Sequence, residues 1–288
     1  MIQSMTGFAA RSLPLMPANL TLELRSVNQR YLEIAFRLPD ELRVLEPALR
    51  ELIQKRIARG KVECRMGLAA PAVTRSSNGL NADLLESLRR WQAQVRQALP
   101  EAAALSVGEV LRWPGMQEEA NLTAPELHAR ILAEAALAVD DLAASREREG
   151  GKLATFLLER VAGAEAMLHE LGPRLPLLLR QHEERLAAKL MEALGEEHPE
   201  RLAQELALFL QKIDVAEELA RLEAHLQEVR RVLGKGGAAG KRLDFLMQEL
   251  HREAITLGSK SVGLETTRAA MELKVLIEQM REQVQNIE

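Results

Sequence analysis

The 288-residue chain has a single cysteine, Cys64. No internal disulfide can form, and that usage suits a reducing compartment. One thiol and six scattered histidines also exclude a zinc-finger type of site. Aromatics make up only 3%, and Tyr31 is the sole tyrosine. Leu, Ala, Val and Met must therefore fill the interior, as in helix-rich soluble proteins. No run approaches the ~18 uncharged apolar residues of a membrane span. The opening MIQSMTGFAARSLPL lacks the basic stretch and apolar run of a signal peptide. The expected location is the cytoplasm, with no membrane partner. A P-loop, a dinucleotide fingerprint, a nucleophile elbow and a CxxC pair are all absent. No sign of charge dominates, the net value being −4. Its distribution is uneven. Residues 1–70 hold 11 Lys/Arg against 7 Asp/Glu, which leaves −8 on the other 218. A basic first part is a weak footprint of a polyanion-facing surface.

What is present is 47% apolar, enough for a sizeable core. At this length two domains are the natural expectation. Residues 1–70 read as β-rich. LTLELRSV alternates Leu20, Leu22 and Leu24 with polar residues; YLEIAFRL alternates Leu32, Ile34 and Phe36; KVECRMGL alternates Val62, Cys64 and Met66. Period two is the strand signature. Between the last two lies a helical stripe, Leu42, Leu45, Leu49, Leu52, Ile53 and Ile57, which Gly60 stops. The fold class is α+β: a small, mostly antiparallel sheet with a helix, then a predominantly helical region with a long antiparallel hairpin. Loops are expected at 70–81 and 106–126, with a helix between them. Beyond, 124–171 reads as helix broken near Gly150-Gly151, and 171–176 as a break. Further helices are expected at 177–194, 200–233, 241–257 and 264–287. The domains are placed at 1–122 and 123–288.

The hairpin carries the chemistry. GKGGAAG (234–240) links two strongly helical patterns, as a turn between antiparallel neighbours does. In the first helix Asp214, Glu218, Arg221 and His225 are spaced by four, three and four, so they share one face beside the apolar stripe. In the second, Asp244, Gln248 and His251 flank the stripe on one side, Glu249 and Glu253 on the other. His225 and Glu249 are about equally far from the turn, so one flank of the second helix should meet the first helix's polar face. Carboxylates with a neutral imidazole can hold a hard divalent cation. The plainer reading is a set of surface helix pairs, each contributing only a few tenths of a kcal/mol. Around the turn stand Arg230, Arg231, Lys235, Lys241 and Arg242, with four glycines whose N–H groups would be accessible to phosphates. In the β-rich part Arg25, Asn28, Arg30, Tyr31 and Arg37, then Arg59, Lys61 and Arg65, suit unpaired bases and phosphates. Solvated faces are the alternative for both groups.

Several blocks together resemble the YicC/YloC family. They are SMTGFA (4–9), RSVNQRYLE (25–33), LEPALR (45–50), RGKVEC (59–64), REREG (146–150), DVAEELARLEAH (214–225), KRLDFLMQELHREA (241–254) with TLGSKS (256–261), and ELKVLIEQMREQVQNIE (272–288). They fall in the family's order and span residues 1–288. The resemblance implies an endoribonuclease that needs a divalent metal, Mn2+ or Mg2+. It also implies a homo-oligomeric, ring-like assembly enclosing RNA, with a hexamer as a candidate. The residues expected to hold the cation or its waters are Glu218, His225, Glu249 and Glu253. The catalytic set is His225, Glu249, Arg252 and Glu253, with Arg252 countering phosphoryl charge. Arg25, Asn28, Arg30, Arg59, Lys61, Arg242 and Lys260 are expected on RNA. Two positions depart from or qualify the pattern. Ile255 stands where the family usually has Asn, and the family accepts Asn at His251, which removes His251 as an obligatory base. A non-catalytic RNA-binding adaptor is the second hypothesis, and a purely structural helical oligomer the third.

Overall fold

A computed structural model describes residues 1–15, 18–69, 80–116, 125–194 and 199–288. Residues 70–79 and 117–124 of the two expected loops lie outside these. The chain forms two compact units. One comprises Phe8–Ser26 and Tyr31–Leu142; the other comprises Met1–Gly7, Val27–Arg30 and Ala143–Glu288. The division thus falls at 142/143 and not at the expected 122/123, and two short N-terminal pieces belong with the C-terminal helices. Backbone pairing accounts for this. Ser4 bridges to Ile287 antiparallel, Met5 N–H donates to Asn286 O at 2.7 Å, and the Asn28 side chain donates to Gln285 O at 2.7 Å.

The first unit is built on four strands, β1 (Gly7–Leu15), β2 (Ala18–Val27), β3 (Glu33–Arg37) and β4 (Lys61–Ala69), ordered β1-β2-β4-β3. Strand alternation appears as the sequence implies. Leu20, Leu22 and Leu24 are buried on β2, and Val62, Cys64 and Met66 on β4. A 3-10 turn (Asp40–Leu45) and α1 (Glu46–Arg56) connect β3 to β4. These two strands run parallel, in register from Glu33↔Lys61 to Arg37↔Arg65. The sheet is therefore mixed, because neighbouring strands joined through a helical crossover must point the same way. Leu42, Leu45, Leu49, Ile53 and Ile57 cover its apolar face. The same core includes Ile131, Ala135, Val139 and Leu142 from α4 (Pro125–Leu194). Helices α2 (Ala82–Ala98) and α3 (Val107–Arg112) also belong to this unit.

Helix α4 runs unbroken for 70 residues through both expected interruptions. Gly150-Gly151 does not end it. Gly150 is buried where the helix meets the backbone of Ile2, and any side chain there would collide with the Ile2 carbonyl. Pro173 and Pro176 lie inside the helix, each removing a backbone donor. Burial of Leu168, Leu171 and Leu175 holds that stretch against the core. The expected helix 200–233 is in fact two, α5 (Pro199–Ile213) and α6 (Ala216–Lys235). Asp214 makes the break, its carboxylate accepting from the Ala216 N–H at 3.0 Å, as short acidic side chains do at helix starts. Helix α7 (Gly240–Ser259) packs against both α6 and α8 (Leu264–Val284). Their interface is aliphatic: Leu222, Leu226 and Val229 of α6, Leu243, Met247 and Leu250 of α7, Leu273 and Ile277 of α8. Among the described residues no helix is long and apolar enough to cross a membrane.

Candidate active site

The α6–α7 hairpin places the chemistry-bearing residues. Gly236 and Gly237 turn the chain with φ of 70° and 81°, a conformation that side chains rarely adopt. From that turn, cross-helix partners step outward in antiparallel order. Glu228 meets Arg242 at 3.3 Å, His225 lies with Glu249, Arg221 meets Glu253 at 3.4 Å, and Glu218 meets Lys260 at 2.7 Å. The flank of α7 that faces the polar side of α6 is therefore the Glu249/Glu253 flank, the point that helical spacing alone leaves open.

His225, Glu249 and Glu253 converge. Each offers one ligand atom, and these atoms all lie within 4.8 Å of one another. His225 and Glu249 are half-buried, whereas Glu253 is only 4% exposed. Two donors on one hard cation, each at ~2.0–2.6 Å, can be no more than about 4–5 Å apart. One imidazole and two carboxylates at this spacing thus fit a single divalent cation with waters completing its shell. Arg221 faces the cluster from α6. It bonds Glu253 and also Glu217, contacts that hold its guanidinium more firmly in the charged form.

Glu218 does not join the set. Lys260 neutralises it and also donates to Asp214 O at 2.9 Å, which fixes the end of α7 to the start of α6. The second Glu218 carboxylate oxygen is buried with no hydrogen-bond partner. Asp214 precedes the helix, and its carboxylate accepts from the Ala216 N–H. Arg252 is exposed on α7 beside Glu253. His251 is half-buried and Ile255 is 46% exposed.

The expected RNA contacts fall into different environments. Lys61 is paired with Glu33 at 2.9 Å, and Arg242 stacks over the Phe245 ring, 5.5 Å from its centre, while meeting Glu228. Arg59 is half-buried, its Nε without a partner. Arg25 and Arg30 are exposed. The turn differs from expectation. The Gly237 N–H donates to Met1 O, and the Ala239 and Gly240 N–H groups to Glu288 O, so those donors are engaged by the chain's own ends and are not open to phosphate.

One buried ionic residue has no local sequence signal. Arg146 is 2% exposed, donates through Nε to Ser4 O at 2.6 Å and meets Glu288 at 2.7 Å. Both partners are 142 residues away in sequence, beyond the reach of helical or strand periodicity. The only sign is that it lies within REREG, one of the blocks that carry the family resemblance.

Residues 2–155 match the family described as Endoribonuclease YicC-like, N-terminal region, and residues 172–288 match Endoribonuclease YicC-like, C-terminal. A protein of Haemophilus influenzae named probable endoribonuclease YicC is 39% identical over 292 aligned positions, covering 100% of both chains. One of the same name from Clostridioides difficile is 28% identical, covering 99% of each. Full-length matches of this kind leave one assignment: the chain belongs to the YicC-like endoribonuclease family.

Proposed function

We propose that this chain is a metal-dependent endoribonuclease whose centre is His225, Glu249 and Glu253. The observation that carries the reading is the convergence of those three ligand atoms within 4.8 Å, in a chain whose relatives are named probable endoribonucleases. A bound divalent cation supplies Lewis acidity at a phosphoryl oxygen and makes water a better nucleophile at neutral pH. The protein's own part is positional and electrostatic. Aliphatic packing of α6 on α7 fixes the donors, and Arg221 limits the motion of Glu253. Arg252, exposed next to Glu253, is the cation available to counter charge that develops on the phosphate. Glu218 and Lys260 brace the far end of the hairpin. The reading includes self-association into a ring and a cytoplasmic location.

The test is cleavage of a structured RNA by purified wild type and Glu249→Ala, with and without chelator. Chelator should abolish the wild-type activity, and Glu249→Ala should lose at least about a hundredfold, the scale seen when metal sites are disturbed. Mn2+ should also raise the thermal midpoint of the wild type and leave that of Glu249→Ala unmoved. Equal residual cleavage by both proteins would expose a contaminating nuclease. RNA binding with no cleavage would favour the adaptor.

A further inference from the structure

The outer face of the sheet holds a groove of about 400 Å³, lined by Phe8, Glu23, Arg25, Glu63 and Arg65. Phe8 is 55% exposed, yet its neighbour Ala9 is buried. Leu13 and Leu15 fix the register of β1, so this strand directs an alanine into the core and its one aromatic ring outward. A ring held in water forgoes the burial that usually keeps such residues inside. Two strands supply the polar groups. Glu23 and Arg25 project from β2 two residues apart, as do Glu63 and Arg65 from β4. Glu63 is held by Arg37 at 2.8 Å. Glu23, Arg25 and Arg65 share the groove, yet none of the three forms an ion pair among the described residues. The groove therefore combines an exposed ring, two available guanidiniums and one available carboxylate.

We infer that this groove is a guanine-reading subsite for single-stranded RNA, an inference that rests on RNA being the substrate. An aromatic face on an open sheet is a stacking platform for any unpaired base. Guanidinium groups beside it suit a phosphate, or the O6 and N7 acceptors of guanine. The carboxylate decides between bases. Ionised Glu23 only accepts hydrogen bonds. Guanine presents N1–H and N2–H side by side, two donors for two carboxylate oxygens. Adenine and cytosine set a donor beside an acceptor, and uracil sets its one N–H between two carbonyls. Each of these turns a lone pair toward the carboxylate. Phosphate-binding arginines alone would give no such choice.

The experiment uses the full-length protein, chelator, and labelled oligouridines with a central guanosine, a central inosine or no substitution. Anisotropy gives affinity, and a gel confirms intact RNA. Inosine keeps N1–H and lacks only the N2 amine. The wild type should bind the guanosine oligomer about tenfold tighter than the other two, as one hydrogen bond to a charged acceptor allows. Glu23→Gln should lose that preference while binding plain oligouridine within about twofold of wild type. Phe8→Ala and Phe8→Leu should weaken all three oligomers by about fivefold or more, the cost of a lost stacking contact. A wild type that does not distinguish guanosine from inosine, or a Glu23→Gln protein that still does, overturns the subsite and leaves the helical centre untouched. A change in solution mass on replacing Phe8 would make this face an interface between copies, and would also overturn it. If the wild type binds none of the oligomers, the RNA reading itself fails along with the subsite.

Discussion

Arg146 carries its charge in a place where an unpaired charge could not stay. At 2% exposure, burial pulls its pKa down and the Glu288 carboxylate pulls it back up. Removing one member of such a pair leaves the other uncompensated, which costs about 3–5 kcal/mol. Glu288 is partly exposed, at 16% for its side chain, so the lower end applies. Arg146→Ala should therefore lose about 3 kcal/mol in urea unfolding, and Glu288→Gln, which leaves the more deeply buried Arg146 without its counter-charge, at least as much. A loss under about 1 kcal/mol in Arg146→Ala would mean the pair contributes nothing beyond packing. Glu228 gives a pH signature. Hydrogen bonds from Arg231, then Arg242, hold its carboxyl down at about 2, against an ordinary 4.5. A depressed carboxyl stabilises the fold above its unfolded pKa, and that contribution disappears as pH falls through the folded value. The wild type should therefore lose stability relative to Glu228→Gln between about pH 4.5 and 2, and not above. A stability difference that stays constant across that window would show that Glu228 is not held as described. These two residues also mark what is legible. His225, Glu249 and Glu253 lie on two helices joined by a short link, so spacing and distance from the turn place them at similar height, while the flank of α7 that faces α6 and the role of Glu228 are legible only in the fold. Arg146 acts on residues at both ends of the chain, and no local pattern encodes that.

At the scale of elements, α4 shows how a residue type misleads when its neighbours are unknown. Adjacent glycines in a helical pattern read as a break because each costs about 0.5–1 kcal/mol relative to alanine. In the fold the two have different settings. Gly150 is buried against the Ile2 backbone, and a methyl there would strike the Ile2 carbonyl; Gly151 faces open space with nothing within 4 Å. Gly150→Ala should destabilise by about 1–3 kcal/mol, the usual cost of overpacking. Gly151→Ala should stabilise by roughly 0.5–1 kcal/mol through helix propensity. Thermal midpoints that shift in the same direction for both would remove the close approach as the reason for Gly150. The same lesson applies to β3 and β4. Their alternation is plain in the sequence, and so is the helix between them, but alternation does not carry strand direction. The crossover does, which is why the β3–β4 pair is parallel within the sheet. The α5–α6 break was hidden for a related reason. Asp214 has the right spacing for the α6 face, yet it lies before that helix, where its short carboxylate accepts from the Ala216 N–H.

For the whole molecule, two separate cores predict two separable transitions. Cys64 is fully buried within the core of the sheet unit, and burial raises its thiol pKa to about 12. It should resist alkylation until that unit opens, because the thiolate is the reactive form. Far-UV ellipticity instead reports mainly the helical unit, which contains α5 to α8 and residues 143–194 of α4. Arg146 and its partners Ser4 and Glu288 belong to that helical unit as well. Chains with two cores commonly depart from a single two-state transition. Pulsed alkylation of Cys64 along a urea series should thus give a midpoint distinct from the ellipticity midpoint. Arg146→Ala should lower the ellipticity midpoint while the alkylation midpoint moves much less. Helix α4 contributes to both cores, as residues 125–142 and 143–194, and is the element through which coupling would pass. If both probes shift together in Arg146→Ala, the shared helix transmits unfolding from one core to the other, and the molecule unfolds as one cooperative body.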